Sequence, residues 1–545
     1  MNTTTTTTQT FSSPCTSHGL THSLLQSIPA TAALIAFSLL LLHHLLPRRP
    51  SKRPPLPPGP VPLPFIGNIH DLLLRKPTFK WILTLMKERS TDIACIRMGK
   101  VHIIPVTCPE IAREFLKRQD STFASRPITM GTEYSSRSFL SVAVAPLGDQ
   151  WKKMRRVVAS EVINPARLRW LLEKRDEEAD NLVNHVHNMC RAGGGGTIVD
   201  VRAVVRAYSG NVIRRLMFNK RYFGPGRADG GPGKEEEEHV EALFTVLSLL
   251  YAFCVSDYLP KLRWLDLDGH ERIMRKAIKV VNKYAEPIID ERIGKWRGGG
   301  RIEGAPEDLL DVMISLRDGE GRPLLSTEEI KAQSADLIYA SVDNPANAAE
   351  WALAEMLNQP ELLKKAVDEL DCVVGRDRLV RESDFPRLNY IKSCAREAFR
   401  LHPIAPFNLP HVSVSDATVA GYFIPKGSHV LLSRVGLGRN PKVWADPLRF
   451  DPERHMAPAS AEVELLESEL RFISFSTGRR GCMGVQLGSA MTVMLLARLL
   501  QCFTWAVPPG QAHIDLTEAE HDLFLAKPLR AHATPRLAEH LYPAN

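Results

Sequence analysis

Ten residues near the C-terminus, FSTGRRGCMG (Phe475–Gly484), constrain this chain more than any other stretch. One cysteine stands among three glycines and two arginines, and a helix-forming apolar run, VQLGSAMTVMLLARLLQCF, follows at once. A cysteine kept for packing would sit among aliphatic side chains. Cys482 instead lies just ahead of a helix N-terminus, where the dipole and free N–H groups favour an anion and push a thiol toward thiolate.

A thiolate is a strong, soft ligand for iron. The glycines let the backbone approach a flat macrocycle closely, and Arg480 can neutralise a propionate. The alternative is a lone buried cysteine. The spaced pattern F-x-x-G-x-R-x-C-x-G, read as Phe475, Gly478, Arg480, Cys482 and Gly484, speaks against it.

The rest of the chain fits a large globular body. Of 545 residues, 44% are hydrophobic and 24% charged, enough for a full core. The nine cysteines include no C-x-x-C pair and their number is odd, which disfavours a disulfide framework or a zinc site and points to a reducing compartment. The net charge is +8, but no long Lys/Arg run of nucleic-acid type is present. A basic patch for an acidic protein partner or a lipid surface suits it better.

The N-terminus predicts a membrane anchor. Residues 28–46 are almost wholly apolar, and Leu39–Leu42 is unbroken leucine. Such a helix spans about 28 Å at ~1.5 Å per residue, close to a bilayer core. Arg48, Arg49, Lys52 and Arg53 follow it, while the preceding segment is uncharged and threonine-rich. The positive-inside rule then places residues 1–27 in the lumen and everything after 47 in the cytosol. A cleaved signal peptide would carry its charge before the apolar run. A stiff proline-rich linker covers 47–67, and 68–545 is expected to be the catalytic body.

Within that body most segments read helical: 165–187, 236–254, 269–294 and 327–358. Short strands are expected at 93–98, 101–106, 419–422 and 429–432. The fold class is therefore mainly α with small β-sheets. Glycine-rich stretches at 192–197, 224–238 and 297–304 read as loops.

On the thiolate loop the chain resembles the cytochrome P-450 superfamily, haem-thiolate monooxygenases, from the anchor to the C-terminus. The resemblance implies a cytochrome P-450 fold behind an N-terminal transmembrane anchor. It implies haem b with Cys482 as the axial ligand of its iron, pushing electron density onto the metal. It also implies NADPH electrons delivered through a reductase, dioxygen as co-substrate and residence in the endoplasmic reticulum membrane. REAFR and FDPERH supply Glu397, Arg400 and Arg454, a buried charge network in that family. GDQWKKMRR supplies Trp151 and Arg155, and NLPHVS supplies His411; these, with Arg480, are expected around the haem propionates.

The family carries a long helix over the distal haem face, usually with an acid followed by threonine that help deliver protons. The matching stretch is Ala340–Pro345. Asp343 supplies the acid, Asn344 replaces the threonine, and Pro345 follows. A proline inside a helix removes the bond to the carbonyl four residues back, that of Ser341, so a kink or opening is expected there. Pro345 at the start of a new helix, capped by Asn344, is the other reading.

With HPIAPFNLPHVS and SFSTGRRGC, this stretch is similar to the plant branch that N-hydroxylates amino acids, family 79. That branch converts an L-amino acid to an aldoxime by two N-hydroxylations followed by loss of water and carbon dioxide. The oximes lead toward cyanogenic glucosides and related defence compounds. The resemblance leans toward L-tyrosine, with L-phenylalanine next. A carbon hydroxylase of terpenoids or phenolics is the alternative. Arg126, whose guanidinium suits a carboxylate, and Ile338, Val342, Phe407, Asn408 and Phe524 are the expected substrate contacts.

Overall fold

The longest helix shows how local sequence sets this architecture. Ser326 and Glu329 form a reciprocal cap: Ser326 Oγ accepts from Glu329 N at 3.2 Å, and Glu329 Oε2 accepts from Ser326 N at 2.8 Å. From this cap a helix runs unbroken from Thr327 to Asn358, straight through Pro345. Pro345 is therefore not the first residue of a new helix.

The computed structural model describes residues 53–250, 252–297, 305–456 and 461–543. Pro54–Pro62 and Ile66–Asn545 make up one compact unit. The expected anchor at 28–46 and the lumenal segment lie outside the described residues, as does the start of the proline-rich linker.

Six helices position the site, numbered here in chain order: α1 Asp149–Val157, α2 Val201–Phe218, α3 Lys234–Leu250, α4 Thr327–Asn358, α5 Asn389–Leu401 and α6 Val485–Cys502. Among the described residues, nine short strands make three sheets. The first has the order β1 (Ile96–Met98), β2 (Val101–Val106), β7 (His429–Leu432), β4 (His411–Val412). The second runs β3 (Thr197–Asp200), β9 (Arg530–Pro535), β8 (Phe503–Ala506), and the third is the hairpin β5 (Ala417–Val419) with β6 (Tyr422–Ile424). β2 and β7 pair parallel; the other pairs are antiparallel.

The mainly α class with small sheets is as the sequence implies, with corrections in detail. The segment 165–187 is two helices, Pro165–Trp170 and Leu172–Ala192. The expected strand at 419–422 is a hairpin turn: Ala420 and Gly421 take φ of 50° and 79°, and Val419 pairs across them with Tyr422. Two left-handed residues in succession match the twist of the flanking strands.

α4 and α6 form the centre of the main core. Trp351 on α4 is fully buried and stacks on His402 just after α5, with ring centroids 3.7 Å apart. Asn347 Nδ2 donates to the carbonyl of His402 at 3.0 Å and pins the same junction. α6 is long and apolar enough to cross a membrane, but it is mostly buried within the protein, so its hydrophobicity serves packing.

Candidate active site

The cysteine loop is held by its own backbone. Cys482 N donates to Phe475 O at 2.9 Å, and Gly478 sits at φ 76° with no room for a Cβ, which would stand 2.4 Å from Leu116 O. Gly484 caps α6. A Cβ there would meet only Cys482 Sγ, at 3.8 Å, so the space beside the sulfur is open. The two arginines of the loop point opposite ways. Arg479 pairs with Asp120 at the surface at 2.8 Å, whereas Arg480 turns inward.

Cys482 faces a cavity of about 270 Å3. Its wall includes Trp151 and Arg155 of α1, Arg126, Asn408, Arg434, Arg480, and from α4 Ala340, Ser341, Asp343, Asn344 and Pro345. Trp151 and Arg155 are one turn apart on α1, which puts both on the cavity face. α1 is in turn tied to α4 by Lys153 Nζ, which donates to Glu329 Oε1 at 2.8 Å.

The electrostatics of one end of the cavity are cationic. Arg480 donates to Ala124 O, Val142 O and Ala145 O at 2.6, 3.3 and 2.7 Å, and its guanidinium carbon lies 4.4 Å from the Trp151 ring. Burial, then Arg126 and Arg155, push its pKa down to about 8. Trp151 Nε1 is buried without a partner among the described residues. Such a group, ringed by cations that weaken one another, is a place prepared for an anion.

The expected site residues are distributed unevenly around this space. Trp151, Arg155, Arg480, Cys482, Asp343, Asn344 and Asn408 all reach the cavity. His411 does not; it is buried behind the wall, its Nδ1 donating to Phe123 O at 2.9 Å and its Nε2 without a partner among the described residues. Burial, then Arg126 and Arg480, hold its pKa well below the usual value. Arg126 donates to Ala143 O, Leu409 O and Pro410 O. It lines the Cys482 cavity beside Arg480. Ile338 and Val342 are fully buried in the core and line neither this cavity nor the larger one described below, because they lie one turn apart on the inner face of α4. Phe407 and Phe524 line that larger cavity.

The thiol itself departs from expectation. Cys482 is exposed toward the cavity, yet loss of water around its sulfur raises the thiol pKa, against the pull of Gly484 N–H, Arg155 and Arg434. The helix end alone does not produce a thiolate; a bound metal ion would have to.

Asp343 is the other unusual group. It is buried, its Oδ1 has no partner among the described residues, and burial pushes its pKa up to about 7. Arg206 and Arg434 oppose the shift and Asp522 adds to it. Sequence reasoning passed over Arg206, Arg434 and Asp522, since only the fold brings them near Asp343.

Behind the cysteine loop, Glu397 receives Arg400 through two bonds, Nε to Oε2 at 2.7 Å and Nη2 to Oε1 at 2.6 Å. Arg454 Nε joins at 3.1 Å, as expected. His455 Nε2 also bonds Glu397, at 2.7 Å, and was missed although it ends the same FDPERH stretch. Burial raises the Glu397 carboxyl, but the bonds from Arg400 and His455 outweigh it and hold its pKa low.

The residues present thus fit a haem: an accessible sulfur, open space beside it, and an orphaned indole N–H among cations for acidic groups. The comparisons agree. Residues 57–534 match the family model for Cytochrome P450. The chain is 60% identical over 492 residues to Tyrosine N-monooxygenase of Sorghum bicolor, covering 90% of this chain and 88% of that one. It is 58% identical over 519 residues to Tryptophan N-monooxygenase CYP79A68 of Prunus mume, covering 95% and 97%. It is 57% identical over 533 residues to Phenylalanine N-monooxygenase of Arabidopsis thaliana, covering 95% and 100%. With the loop, the cavity and this similarity in agreement, the chain belongs to the cytochrome P450 family, in its group of amino-acid N-monooxygenases.

Proposed function

We propose that this enzyme oxidises the amino nitrogen of an L-α-amino acid twice and releases the aldoxime, with L-tyrosine the preferred substrate and L-phenylalanine next. The observation that carries the reading is the Asp343–Asn344–Pro345 sequence inside an unbroken helix on the wall of the Cys482 cavity. It offers a carboxyl and a carboxamide where a hydroxyl is usual in the wider family. The tyrosine preference is supported by the 60% identity to the Sorghum relative. The tryptophan, phenylalanine, valine and isoleucine relatives stand at 52–58%.

Cys482 would hold the haem iron, with Trp151, Arg155, Arg480 and Arg126 at the propionate end and His411 behind them. Haem, when bound, supplies oxygen activation with electrons from NADPH through the reductase. The chain's own contribution is binding and proton handling. An amine reacts as the free base, so the ammonium of the substrate must lose a proton. Asp343 Oδ1, buried and without a partner among the described residues, can take it. Asn344, which lines the cavity, can both donate and accept, and so orients the substrate or a water. The carbonyl of Ser341 lacks its regular i+4 donor because Pro345 has no N–H, which adds an acceptor to the same wall.

Residues 28–46 serve as an endoplasmic reticulum anchor with the catalytic body in the cytosol, supported by the apolar run and the cations that follow it. The test of function is direct. Microsomes containing the chain and a reductase receive NADPH and each proteinogenic amino acid in turn, and oximes are read by mass spectrometry. 4-Hydroxyphenylacetaldoxime from L-tyrosine is expected. Absence of any oxime, with hydroxylation of a terpenoid or phenolic, would transfer the chain to the carbon hydroxylases.

A further inference from the structure

A larger cavity of about 930 Å3 lies along α2 and α3. Leu247, Asp343 and Ile404 line both it and the cavity of Cys482. α2 presents three arginines to it, Arg202, Arg206 and Arg214, and they differ. Arg214 is buried, its Nε donating to Arg221 O at 3.1 Å and its Nη2 to Asn211 Oδ1 at 2.5 Å. Arg202 is engaged by the protein: Nε donates to the two oxygens of Glu350 at 3.0 and 2.9 Å, and Nη2 to Leu525 O at 2.8 Å.

Arg206, one turn on, donates to no oxygen among the described residues. Its guanidinium carbon lies 3.7 Å from the ring centroid of Phe244 on α3 and 5.4 Å from that of Phe524. The two rings meet edge to face at 6.1 Å. The nearby acids are occupied elsewhere or buried. Glu350 serves Arg202 and the N–H of Leu529, Asp522 Oδ1 accepts from Phe524 N, and Asp343 is buried with its pKa raised. Burial, then Arg202, pull the Arg206 pKa below its usual value. A guanidinium has five N–H donors in a fixed plane. Rings packed on it leave the edge free, and the edge is where a carboxylate docks with two parallel bonds.

We propose that Arg206, flanked by Phe244 and Phe524, binds the α-carboxylate of the amino acid in the larger cavity and so acts as the positioning residue that admits a substrate toward Asp343. The inference rests on the amino-acid reading above. It explains why a half-buried cation has no carboxylate or carbonyl partner among the described residues, and why aromatic side chains pack on it.

The experiment compares L-tyrosine with tyramine, the same molecule without its carboxylate. Binding to the haem-loaded full chain is followed by the substrate-induced absorbance change. For Arg206→Gln, the affinity for L-tyrosine is expected to fall about tenfold or more, that for tyramine less than about twofold. KM for L-tyrosine should rise more than kcat falls, since the contact serves binding. Arg206→Lys keeps the charge without the fork and should lie between wild type and Arg206→Gln; if Arg206→Gln does not accumulate as folded haem protein, Arg206→Lys decides by the same ratio. Equal weakening for both ligands, or no weakening for either, overturns the inference while wild-type oxime formation leaves the function standing. A wild type that makes no oxime from any amino acid overturns both.

Discussion

Arg400 grips Glu397 through two parallel hydrogen bonds of 2.6 and 2.7 Å, and neither side chain is exposed at all. The same carboxylate also receives Arg454, His455 and the N–H of Asp451, while Arg400 donates to Gly438 O, Pro447 O and Arg449 O. The cluster ties α5 to the segment that leads into the cysteine loop. Removing one member leaves the others charged or unpaired in the interior. Arg400→Leu is expected to cost about 3–5 kcal/mol, seen as a lower denaturation midpoint and little haem-loaded protein. Because the folded Glu397 pKa is held low, this support is present above the ordinary carboxylate range and is lost as pH falls through the folded value. An acid-unfolding profile of the variant should lack that component.

Asp343→Asn separates proton handling from packing. Turnover should drop by about 10²–10⁴, with substrate affinity changed much less. Stability should move the other way. Asp343 is raised to about 7, so ionising it costs folding energy that grows from the ordinary carboxylate range up to about pH 7 and is absent below it. The variant should therefore gain melting temperature over wild type at pH 8 and not at pH 4. Equal shifts at both values would remove the burial argument.

Asn344→Thr restores the hydroxyl usual in the wider family. If the carboxamide orients the substrate or a water, the ratio of oxime formed to NADPH consumed should fall and hydrogen peroxide should rise. Unchanged values of both would show that Asn344 has no part in coupling.

At the sulfur, Gly484→Ala would place a methyl group 3.8 Å from Cys482 Sγ, in the open space beside it. Haem content after purification should fall, with the apoprotein still folded by circular dichroism. Cys482→Ala should abolish the thiolate-type absorption of the reduced carbon monoxide complex altogether.

Trp151→Phe keeps an aromatic ring under Arg480 but removes part of the indole and, with it, the N–H that has no partner among the described residues. Loss of one buried donor to an acidic group should weaken haem retention by about 1–3 kcal/mol, read as faster transfer to a haem acceptor protein.

How much of this was legible beforehand depends on distance along the chain. Trp151 with Arg155, and Glu397 with Arg400, each sit in one short stretch that resembles the family, so the resemblance pointed to them. The helix of 327–358 was readable to the residue because its cap, Ser326 with Glu329, is written locally. Ile338 and Val342 were misplaced because an apolar residue on a helix looks the same whether it meets a core or a ligand. Arg206 was missed because its meaning comes from Phe244 and Phe524, brought together only by packing. The strand expected at 419–422 failed because Ala420 and Gly421 reverse the chain where β-propensity alone would extend it.

Pro345 leaves one lasting mark on α4. The gap in the bonding ladder at Ser341 depends on Pro345 and on no other side chain of the cavity wall. It persists through every change at positions 341, 343 or 344, so these can drift toward a new substrate while one fixed point of polarity stays where it is.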